Sequence, residues 1–523
     1  MLQVVNLGLQ YGSRTLFKDV NLTFTNGNCY GIIGANGAGK STFLKLLAHE
    51  IEPTNGEVYL DPKERMSILA QDQNKYDSYN VLDTVLMGHK ELMRIKNEKE
   101  KYYAKENFTD EDGMILAELE GEFAALGGWE AESDAETLLS GLGVSSSLFY
   151  EQMGNLDAKV KVKVLLAQAL FGNPDVLLLD EPTNNLDYKA VRWLENFLLN
   201  FPNTVLVVSH DRHFLNNVCT HICDVDYGKI KLYVGNYEFW YESSQLLLNQ
   251  MKDENKKAEQ KIKELKAFIE RFSANKSKSR QATSRKKLLD KIELNNLEPS
   301  SRRYPYVGFK PNREVGNDIL FVEKLGKKGL FENLTFTVNK NDKIALLAEN
   351  SQIIEALFNI LLGRDNDYTG SFKWGVTTEV SCLLQDNKEL FDTDLNLVDW
   401  LRQYSKDDKA ESYIRSWLGR MLFSGEESLK KARVLSGGEK IRCNLAKMML
   451  EGPNVLLLED PTNHLDLESI TALNNGLVAY KGNILFSSHD AELLETVANR
   501  IISFGADGKI TDKYTTYEEF IGE

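Results

Sequence analysis

The sequence predicts an α/β fold class that occurs twice in one chain, with an α-helical hairpin linker between the two copies. The main observation is an internal repeat. An apolar stretch followed by two acidic residues and Pro-Thr-Asn occurs at Leu177–Asp187 and again at Leu456–Asp466. Val208–Asp211 recurs as Ser487–Asp490, at the same distance from the acidic pair. Such self-similarity over a long period indicates a duplicated domain.

A glycine-rich loop in the first copy is the strongest chemical signal. Gly34–Thr42 matches G-x-x-x-x-G-K-[ST], the pattern of a loop that binds phosphate groups; the alternative is a glycine-rich turn without a ligand. It follows an apolar stretch that reads as a buried strand, Tyr30–Ile33, and precedes Phe43–Ala48, which has helical spacing. Glycines let backbone N–H groups approach phosphate oxygens, and the Lys and Ser supply a cation and a metal-binding hydroxyl. The candidate nucleotide-binding residues are Gly34, Asn36, Gly37, Gly39, Lys40, Ser41 and Thr42, and Ser41 is also a candidate metal ligand.

Composition restricts the class of protein. A chain of 523 residues is too long for one hydrophobic core, so two or more domains are expected. No apolar run reaches the roughly 18 residues of a membrane span, and the N-terminus lacks the features of a signal peptide. Five scattered cysteines favour free thiols in a reducing, cytoplasmic compartment. The net charge of −15 argues against a surface that binds nucleic acid everywhere, so any such contact has to be local.

The composition changes between the two copies. From about Ser243 to Leu297 there is no Gly or Pro, and Lys, Glu, Gln and Leu dominate, which predicts two helices in a hairpin. The first copy also contains a long acidic, helix-rich stretch whose counterpart in the second copy is shorter. We therefore expect a first nucleotide-binding domain at 1–240 with a helical arm inserted at about 80–125, a linker at 241–305 and a second domain at 315–523.

The turn of this hairpin, the elbow, is predicted to be purely basic. Seven basic residues and no acidic residue lie between residues 271 and 287, whereas the stems mix acidic and basic side chains. We interpret the elbow as a surface for RNA phosphates; the alternative is a solvated charged linker, since many charge runs have no partner. The candidate nucleic-acid-binding residues are Arg271, Lys276, Lys278, Arg280, Arg285, Lys286 and Lys287.

Taken together, the motifs resemble an ATP-binding cassette. They are the phosphate loop, Leu179–Thr183, His210 and the sequence Leu-Ser-Gly-Gly-Glu-Lys at Leu435–Lys440. Two cassettes in one chain, Glu-Pro-Thr-Asn-x-Leu-Asp after the apolar strand and a basic helical linker resemble the ABC-F family, and within it the YkpA/YbiT-like branch. The resemblance covers essentially the whole chain. It implies two P-loop NTPase cassettes, each with a mostly parallel core sheet, an antiparallel β part and a helical subdomain, and it implies ATP and Mg²⁺ as cofactors.

The resemblance and the chemistry of phosphoryl transfer give candidate roles to residues of the first cassette. Asp180 would hold Mg²⁺, Glu181 would act as general base, and His210 would contact the γ-phosphate. Gln71 resembles the residue that reports on metal and nucleotide, so it is a catalytic and a metal-ligand candidate. Tyr11 resembles the aromatic residue that stacks on adenine. The alternatives are a capping carboxylate, a core histidine and an aromatic residue that serves only packing.

The resemblance also implies that the phosphate loop of each cassette faces the signature motif of the other, which is intact here only at Ser436–Gly438. In the second copy Leu347–Glu355 lacks the glycines, with Ile354 in place of Lys and Glu355 in place of Ser. In the first copy Met153–Lys159 replaces the signature motif. Both losses fall on the same composite site. We therefore predict one competent ATP site, which uses Ser436, Gly437 and Gly438, and one degenerate site.

The family resemblance implies a ribosome-associated translation factor. ATP would close the two cassettes, and the linker would reach rRNA and the P-site tRNA. The chain would be a monomer with intramolecular cassette pairing, with no membrane contact and no transmembrane subunit. Two alternatives remain open: a protein that protects the ribosome from antibiotics, and the energising subunit of a membrane transporter. The covalent fusion of the cassettes through a basic hairpin argues against the transporter subunit.

Overall fold

The computed structural model describes residues 1–523 except 13, 36, 71, 106–107, 185, 227, 273–301, 349, 386, 407, 506–507 and 523. The strands of the first copy are β1 (Leu2–Tyr11), β2 (Arg14–Phe24), β3 (Cys29–Gly34), β4 (Asn55–Tyr59), β5 (Met66–Ile68), β6 (Val176–Asp180), β7 (Thr204–Val208), β8 (His221–Asp226) and β9 (Lys229–Val234). The α-helices as far as the linker are α1 (Lys40–Leu47), α2 (Val81–Leu86), α3 (Lys90–Tyr103), α4 (Asp110–Ala125), α5 (Ala131–Gly141), α6 (Ala158–Leu170), α7 (Tyr188–Leu199), α8 (Arg212–Val218) and α9 (Tyr237–Phe272).

The second copy repeats this order without the long pair of arm helices. Its strands are β10 (Leu320–Lys327), β11 (Phe331–Val338), β12 (Lys343–Ala348), β13 (Thr369–Trp374), β14 (Val380–Leu383), β15 (Val455–Glu459), β16 (Asn483–Ser487), β17 (Arg500–Phe504) and β18 (Ile510–Lys513). Its α-helices are α10 (Ser351–Leu361), α11 (Lys388–Phe391), α12 (Leu397–Arg402), α13 (Glu411–Arg420), α14 (Gly437–Glu451), α15 (Leu467–Ala479), α16 (Ala491–Val497) and α17 (Tyr517–Gly522).

The core of the first copy is a sheet in the order β5-β6-β7-β3-β8-β9. Neighbouring strands pair in parallel except β8 and β9, which are antiparallel. Strands β3 and β7 are apolar and buried along their whole length, because other layers cover both faces of the sheet. One of these layers contains the antiparallel sheet β2-β1-β4 and α1, whose apolar side chains share one core with the central sheet.

The second copy has the same two sheets, in the orders β14-β15-β16-β12-β17-β18 and β11-β10-β13. The prediction of a mostly parallel core sheet with an antiparallel β part is thus confirmed in both copies. In a parallel sheet the carboxyl ends of the strands meet at one edge, where ligands bind in open α/β folds. In the first copy this edge brings together the ends of β3, β6 and β7, and with them the motifs that the sequence singled out.

The helical additions differ between the copies. Helices α3 and α4 pack against each other, and Nζ of Lys99 lies 4.1 Å and 4.4 Å from the ring centroids of Phe123 and Trp129. Thr109 and Asp112 form a capping box that fixes the start of α4. The first linker helix is α9, whereas the second predicted linker helix and all elbow cations except Arg271, the next-to-last residue of α9, lie outside the described residues. Within the described ranges, no helix has both the length and the apolar character needed to cross a bilayer.

Candidate functional site

The glycine-rich loop of the first copy connects β3 directly to α1. Gly37 and Gly39 have φ angles of 77° and 102°, which side-chain-bearing residues rarely adopt, and Gly39 immediately precedes the helix. A Cβ atom on Gly39 would lie 2.8 Å from Cζ of Phe17. Glycine at this position therefore lets the loop fold tightly against β2 and leaves the N-terminus of α1 open to a phosphate group.

Lys40 is buried beneath this loop. Its Nζ donates to the carbonyl oxygen of Gly34 at 2.8 Å and to that of Ala35 at 3.4 Å. Burial lowers the pKa of Lys40, and the carboxylates of Glu181, Glu468 and Asp466 partly offset this. Glu468 and Asp466 belong to the second copy, so acidic groups from the other half of the chain lie within electrostatic range of this lysine.

The acidic pair and the histidine meet at the carboxyl edge of the sheet. Asp180 ends β6, and Glu181 follows it with a φ angle of 51°, a strained conformation for a residue with a side chain. The backbone N–H of Glu181 donates to the carbonyl of Val208 at 2.8 Å, and the backbone N–H of His210 donates to Oε2 of Glu181 at 3.2 Å. The first bond holds the backbone of Glu181 at the end of β7, and the second holds its carboxylate there.

The electrostatics of this pair reflect burial. Nε2 of His210 lies 3.4 Å from Oε1 of Glu181. Burial raises the pKa of Glu181 to about 8, although the hydrogen bond from the His210 backbone and the charge of Lys40 act in the opposite direction. Burial also lowers the pKa of His210 to about 4, with Lys40 adding to the effect. A carboxyl group with a pKa near neutrality suits a general base, and the hydrogen bond from the His210 backbone orients it.

One cavity of about 2970 Å³ between the two copies joins these residues to the signature motif. Helix α14 begins at Gly437, with Ser436 as its N-cap and Glu439 completing a capping box. A Cβ atom on Gly438 would lie 2.4 Å from the carbonyl oxygen of His464, so the helix start packs directly against backbone. From the two copies, the predicted residues that line this cavity are Gly37, Gly39, Lys40, Ser41, Thr42, Asp180, Glu181, His210, Ser436, Gly437 and Gly438.

The corresponding region of the second copy has a different local structure. Helix α10 begins at Ser351, with Asn350 as its N-cap, whereas in the first copy the helix begins only at Lys40, the position that Ile354 occupies here. Without glycines at left-handed φ angles, the residues that would form the phosphate loop instead extend the helix. Ile354 is buried, and Glu355 is exposed on the cavity wall.

Charged side chains face this second loop from both copies. Asp460, the counterpart of Glu181, has a φ angle of 40°, and its Oδ2 lies 3.7 Å from Nε2 of His489. Burial raises the pKa of Asp460, and the charges of His489 and Lys159 counteract this. Lys159 lies in the first turn of α6, where the signature helix of the other copy has Gly438. Asp157 caps α6 and accepts from the backbone N–H of Lys159 at 3.2 Å.

Comparison with known proteins identifies the family. A sequence model described as ABC transporter matches residues 17–184 and 331–463, and a second with the same description matches residues 223–309. The uncharacterized ABC transporter ATP-binding protein YkpA of Bacillus subtilis (strain 168) is 59% identical over 100% of this chain and 97% of its own length. The chain belongs to the ABC-F family. It falls in the YkpA/YbiT-like branch, as the sequence predicted, and the two copies are ATP-binding cassettes.

Two further similarities are informative. The energy-dependent translational throttle protein EttA of Haemophilus influenzae is 31% identical to this ABC-F chain over 97% of the chain and 93% of its own length. A solved structure titled RNase-L Inhibitor superposes with a TM-score of 0.61 at 17% identity, covering 97% of this chain and 89% of its own. The latter supports the tandem-cassette fold. Cassettes of this family bind ATP and are ATPases.

The remaining predicted site residues occupy other places. Gly34 ends β3 beneath the loop and accepts the Lys40 hydrogen bond. Tyr11 ends β1, but its side chain lies outside the described residues, as do Asn36, Gln71 and the elbow cations after Arg271. Their roles, and those of the residues that line the cavity, stay predictions.

The donor set of the first cassette fits a nucleotide with Mg²⁺. Ser41 and Asp180 both line the cavity, and the described ranges contain no cluster of three or more His, Cys, Asp or Glu that could hold an ion alone. Mg²⁺ is usually held by one or two protein groups together with substrate phosphates, which matches this arrangement. Oε1 of Glu181 and Nδ1 of His210 are buried and have no hydrogen-bond partner among the described residues. Buried polar atoms without a partner are expected where a ligand binds.

The side chains that join the two cassettes could not be predicted from the sequence. Nη1 of Arg212 lies 2.9 Å from Oε1 of Glu492 and 3.4 Å from Oγ1 of Thr471. Arg302 lies between Asp224 and Glu468. No local pattern marks either arginine, because its partners are distant in sequence and are brought together only by the docking of the cassettes.

Proposed function

We propose that this ABC-F chain is a cytoplasmic ATPase that acts as a ribosome-associated translation factor and hydrolyses ATP at one competent composite site. The observation that carries the proposal is the shared cavity, in which the phosphate loop and catalytic candidates of the first cassette face the signature helix of the second. ATP is a ligand with which both halves of the cavity can interact at once. Its binding therefore favours closure of the cassettes.

In the competent site each group has a separate task. The N-terminus of α1 and Lys40 bind the β- and γ-phosphates, and the N-terminus of α14 meets the γ-phosphate from the other side. Glu181 accepts a proton from the attacking water, and His210 holds the Glu181 carboxylate in place. When bound between Ser41 and Asp180, Mg²⁺ would neutralise negative charge on the phosphates.

The second composite site is proposed to be degenerate. The extended helix α10 takes the place of the phosphate loop, and Ile354 removes the ammonium group that would face phosphate. Glu355 and Asp460 add negative charge around the same space, which disfavours a nucleoside triphosphate. Lys159 partly offsets this charge from the first cassette.

The ribosome is proposed as the partner, with rRNA and the P-site tRNA as the contacted molecules. The name of EttA describes a translational throttle protein, and that relative is similar to this chain over nearly its full length. Helix α9 has 36 residues and is about 54 Å long, and the basic elbow begins at Arg271, next to the C-terminal end of this helix. Cations without acidic neighbours suit the phosphates of structured RNA rather than readout of its sequence. The chain is proposed to act as a monomer.

The transporter alternative has less support. The matching sequence models carry the description ABC transporter, but coupling to a membrane would require a separate transmembrane partner. The fusion of the cassettes through a basic helical linker is unlike such a subunit. An antibiotic-resistance role on the same scaffold predicts a raised minimum inhibitory concentration when the chain is expressed in a sensitive host, and a housekeeping factor predicts no change.

Co-sedimentation with ribosomes tests the proposed function. The Glu181→Gln variant is expected to pellet with ribosomes in ATP but not in ADP, because it holds ATP without hydrolysing it. Neutralising the seven elbow cations by substitution with Gln is expected to weaken this binding at least about 10-fold. It is also expected to reduce the salt dependence of binding, because fewer phosphates are neutralised and fewer counterions are released.

A matched control keeps this test specific. The exposed cations Lys328, Lys340 and Lys509 of the second cassette lie outside the linker, and their substitution with Gln is expected to leave pelleting unchanged. A Glu181→Gln variant that stays in the supernatant with every nucleotide would contradict the ribosome assignment.

A further inference from the structure

Arg302 lies in a buried junction, where the chain passes from the linker back to the cassettes. Nη2 of Arg302 lies 2.5 Å from Oδ1 of Asp224, and Nη1 lies 3.3 Å from Oε1 of Glu468. Its Cζ lies 4.4 Å from the ring centroid of Trp240. The Arg302 side chain is only 7% exposed and that of Glu468 only 3%. One guanidinium group therefore joins both cassettes and the linker.

Each partner of Arg302 belongs to an element next to the ATP site. Asp224 lies on β8 opposite Ile33, one residue before the phosphate loop begins. Glu468 lies in the first turn of α15, whose N-cap Asp466 lines the cavity. Trp240 lies in the first turn of α9, where the linker leaves the first cassette. Thus β8 is next to the strand that precedes the phosphate loop, α15 begins at the cavity in the second cassette, and α9 is the first helix of the linker.

The electrostatics show that this junction belongs to the same environment as the site. Glu468 raises and Arg302 lowers the pKa of Lys40, so both groups act on the phosphate-binding lysine. Burial raises the pKa of Asp224 and of Glu468, and the Arg302 charge is the largest effect that opposes it in each case. Arg302 is thus the main cation opposite both buried carboxylates, which makes the arrangement sensitive to the position of that cation.

We propose that Arg302 is a positioning residue that couples the linker to the ATP site. It holds β8, α9 and α15 in one arrangement, so the composite site is complete only when the linker is seated. By thermodynamic reciprocity, ATP-driven closure then favours the seated linker by the same amount. A linker displaced by its partner would open the site from a distance, and this regulation goes beyond the proposed function, although it rests on the competent first site.

The chain offers a matched control for Arg302. Arg500 is also a buried arginine between two carboxylates, with 2.8 Å to Asp342 and 2.6 Å to Asp512. All three of these residues lie in the second cassette, away from the linker. Arg302→Gln and Arg500→Gln therefore remove the same type of cation from the same type of ion network. Only Arg302→Gln removes contacts that join the two cassettes and the linker.

The experiment measures ATP hydrolysis and linker position in the full chain. Labels are placed at Gln260→Cys on α9 and Val376→Cys on the second cassette, both of which are exposed. Half-buried Cys382 is replaced with Ser, and the other native thiols are buried. Spin-label distances are recorded with and without ATP in the Glu181→Gln background, kcat and KM are measured without that substitution, and ATP affinity is measured separately with a fluorescent analogue.

Arg302→Gln is expected to lower kcat roughly 3- to 30-fold, the range of coupling effects at a distance, with less change in KM. The distance between labels is expected to lose its response to ATP. Glu468→Leu, which keeps the Arg302–Asp224 pair, is expected to do the same and covers the case in which Arg302→Gln does not fold. Arg500→Gln is expected to lower thermal stability but to keep the ATP response.

Two results would overturn the proposal. One is an ATP-dependent distance change in Arg302→Gln and Glu468→Leu that equals that of the parent chain. The other is an equal loss of response in Arg500→Gln, which would assign the effect to general destabilisation. Because ATP affinity is measured separately, a parent chain that fails to bind ATP is recognised as a failure of the proposed site rather than of the coupling.

Discussion

Replacement of Glu181 with Gln is expected to lower kcat for ATP hydrolysis about 10²- to 10⁴-fold while ATP binding persists. The amide keeps the shape of the side chain and can still accept the hydrogen bond from the His210 backbone, which is 3.2 Å long in the native protein. It cannot accept a proton from water, and loss of a positioned general base has an effect of this size. Phosphate release under steady-state conditions and equilibrium binding of a fluorescent ATP analogue measure the two quantities.

Asp460→Asn is the matched control, because Asp460 occupies the same place in the second cassette with the same left-handed backbone. This variant is expected to keep kcat within about 2-fold, since the second site is proposed not to hydrolyse ATP. A comparable loss of activity in both variants would contradict the proposed asymmetry of the two sites.

Gly438→Ala is expected to reduce kcat about 10²- to 10³-fold, the cost of losing one preorganised donor to a developing charge. The added Cβ would lie 2.4 Å from the carbonyl oxygen of His464, a distance that forces the start of α14 away from its neighbour. Helix α14 would then present its N-terminal N–H groups to the γ-phosphate at the wrong distance. ATP binding by the first cassette is expected to change little, because Lys40 and α1 are untouched.

The control for this substitution is Lys159→Ala, which alters the equivalent position of the first turn of α6. We expect kcat to stay within about 2-fold of the parent value, because α6 faces the proposed degenerate site. The pair of variants is compared by initial rates at saturating ATP and by circular dichroism. If Gly438→Ala kept its activity, α14 would have no part in hydrolysis.

The sequence was sufficient for most of the fold. The repeat of acidic pair and Ser-His-Asp spacing predicted two copies, and the apolar stretches before Asp180 and His210 became β6 and β7. These predictions succeed because strand burial and glycine-dependent loop geometry are local properties of sequence. Gly39 is an example, since its φ angle of 102° is one that glycine adopts readily, so the glycine in the sequence already indicates this loop geometry.

Only the parts of the site that belong to a recognisable sequence motif could be predicted. The loop and the signature motif could be named, but the extension of α10 to Ser351 required the structure, because the loss of glycines does not by itself say what replaces the loop. The contacts of Arg212 and Arg302 depend on how the two cassettes dock. Their partners are scattered in sequence, so no spacing rule could find them.

Counting trapped product tests most directly whether one composite site per chain hydrolyses ATP. The chain is incubated with ATP, Mg²⁺ and beryllium fluoride, freed of unbound nucleotide and analysed for ADP per chain. We expect one ADP per chain in the parent protein and none in Lys40→Ala, whose phosphate loop has lost its ammonium group. Two ADP per chain, or retention of ADP in Lys40→Ala, would contradict this expectation.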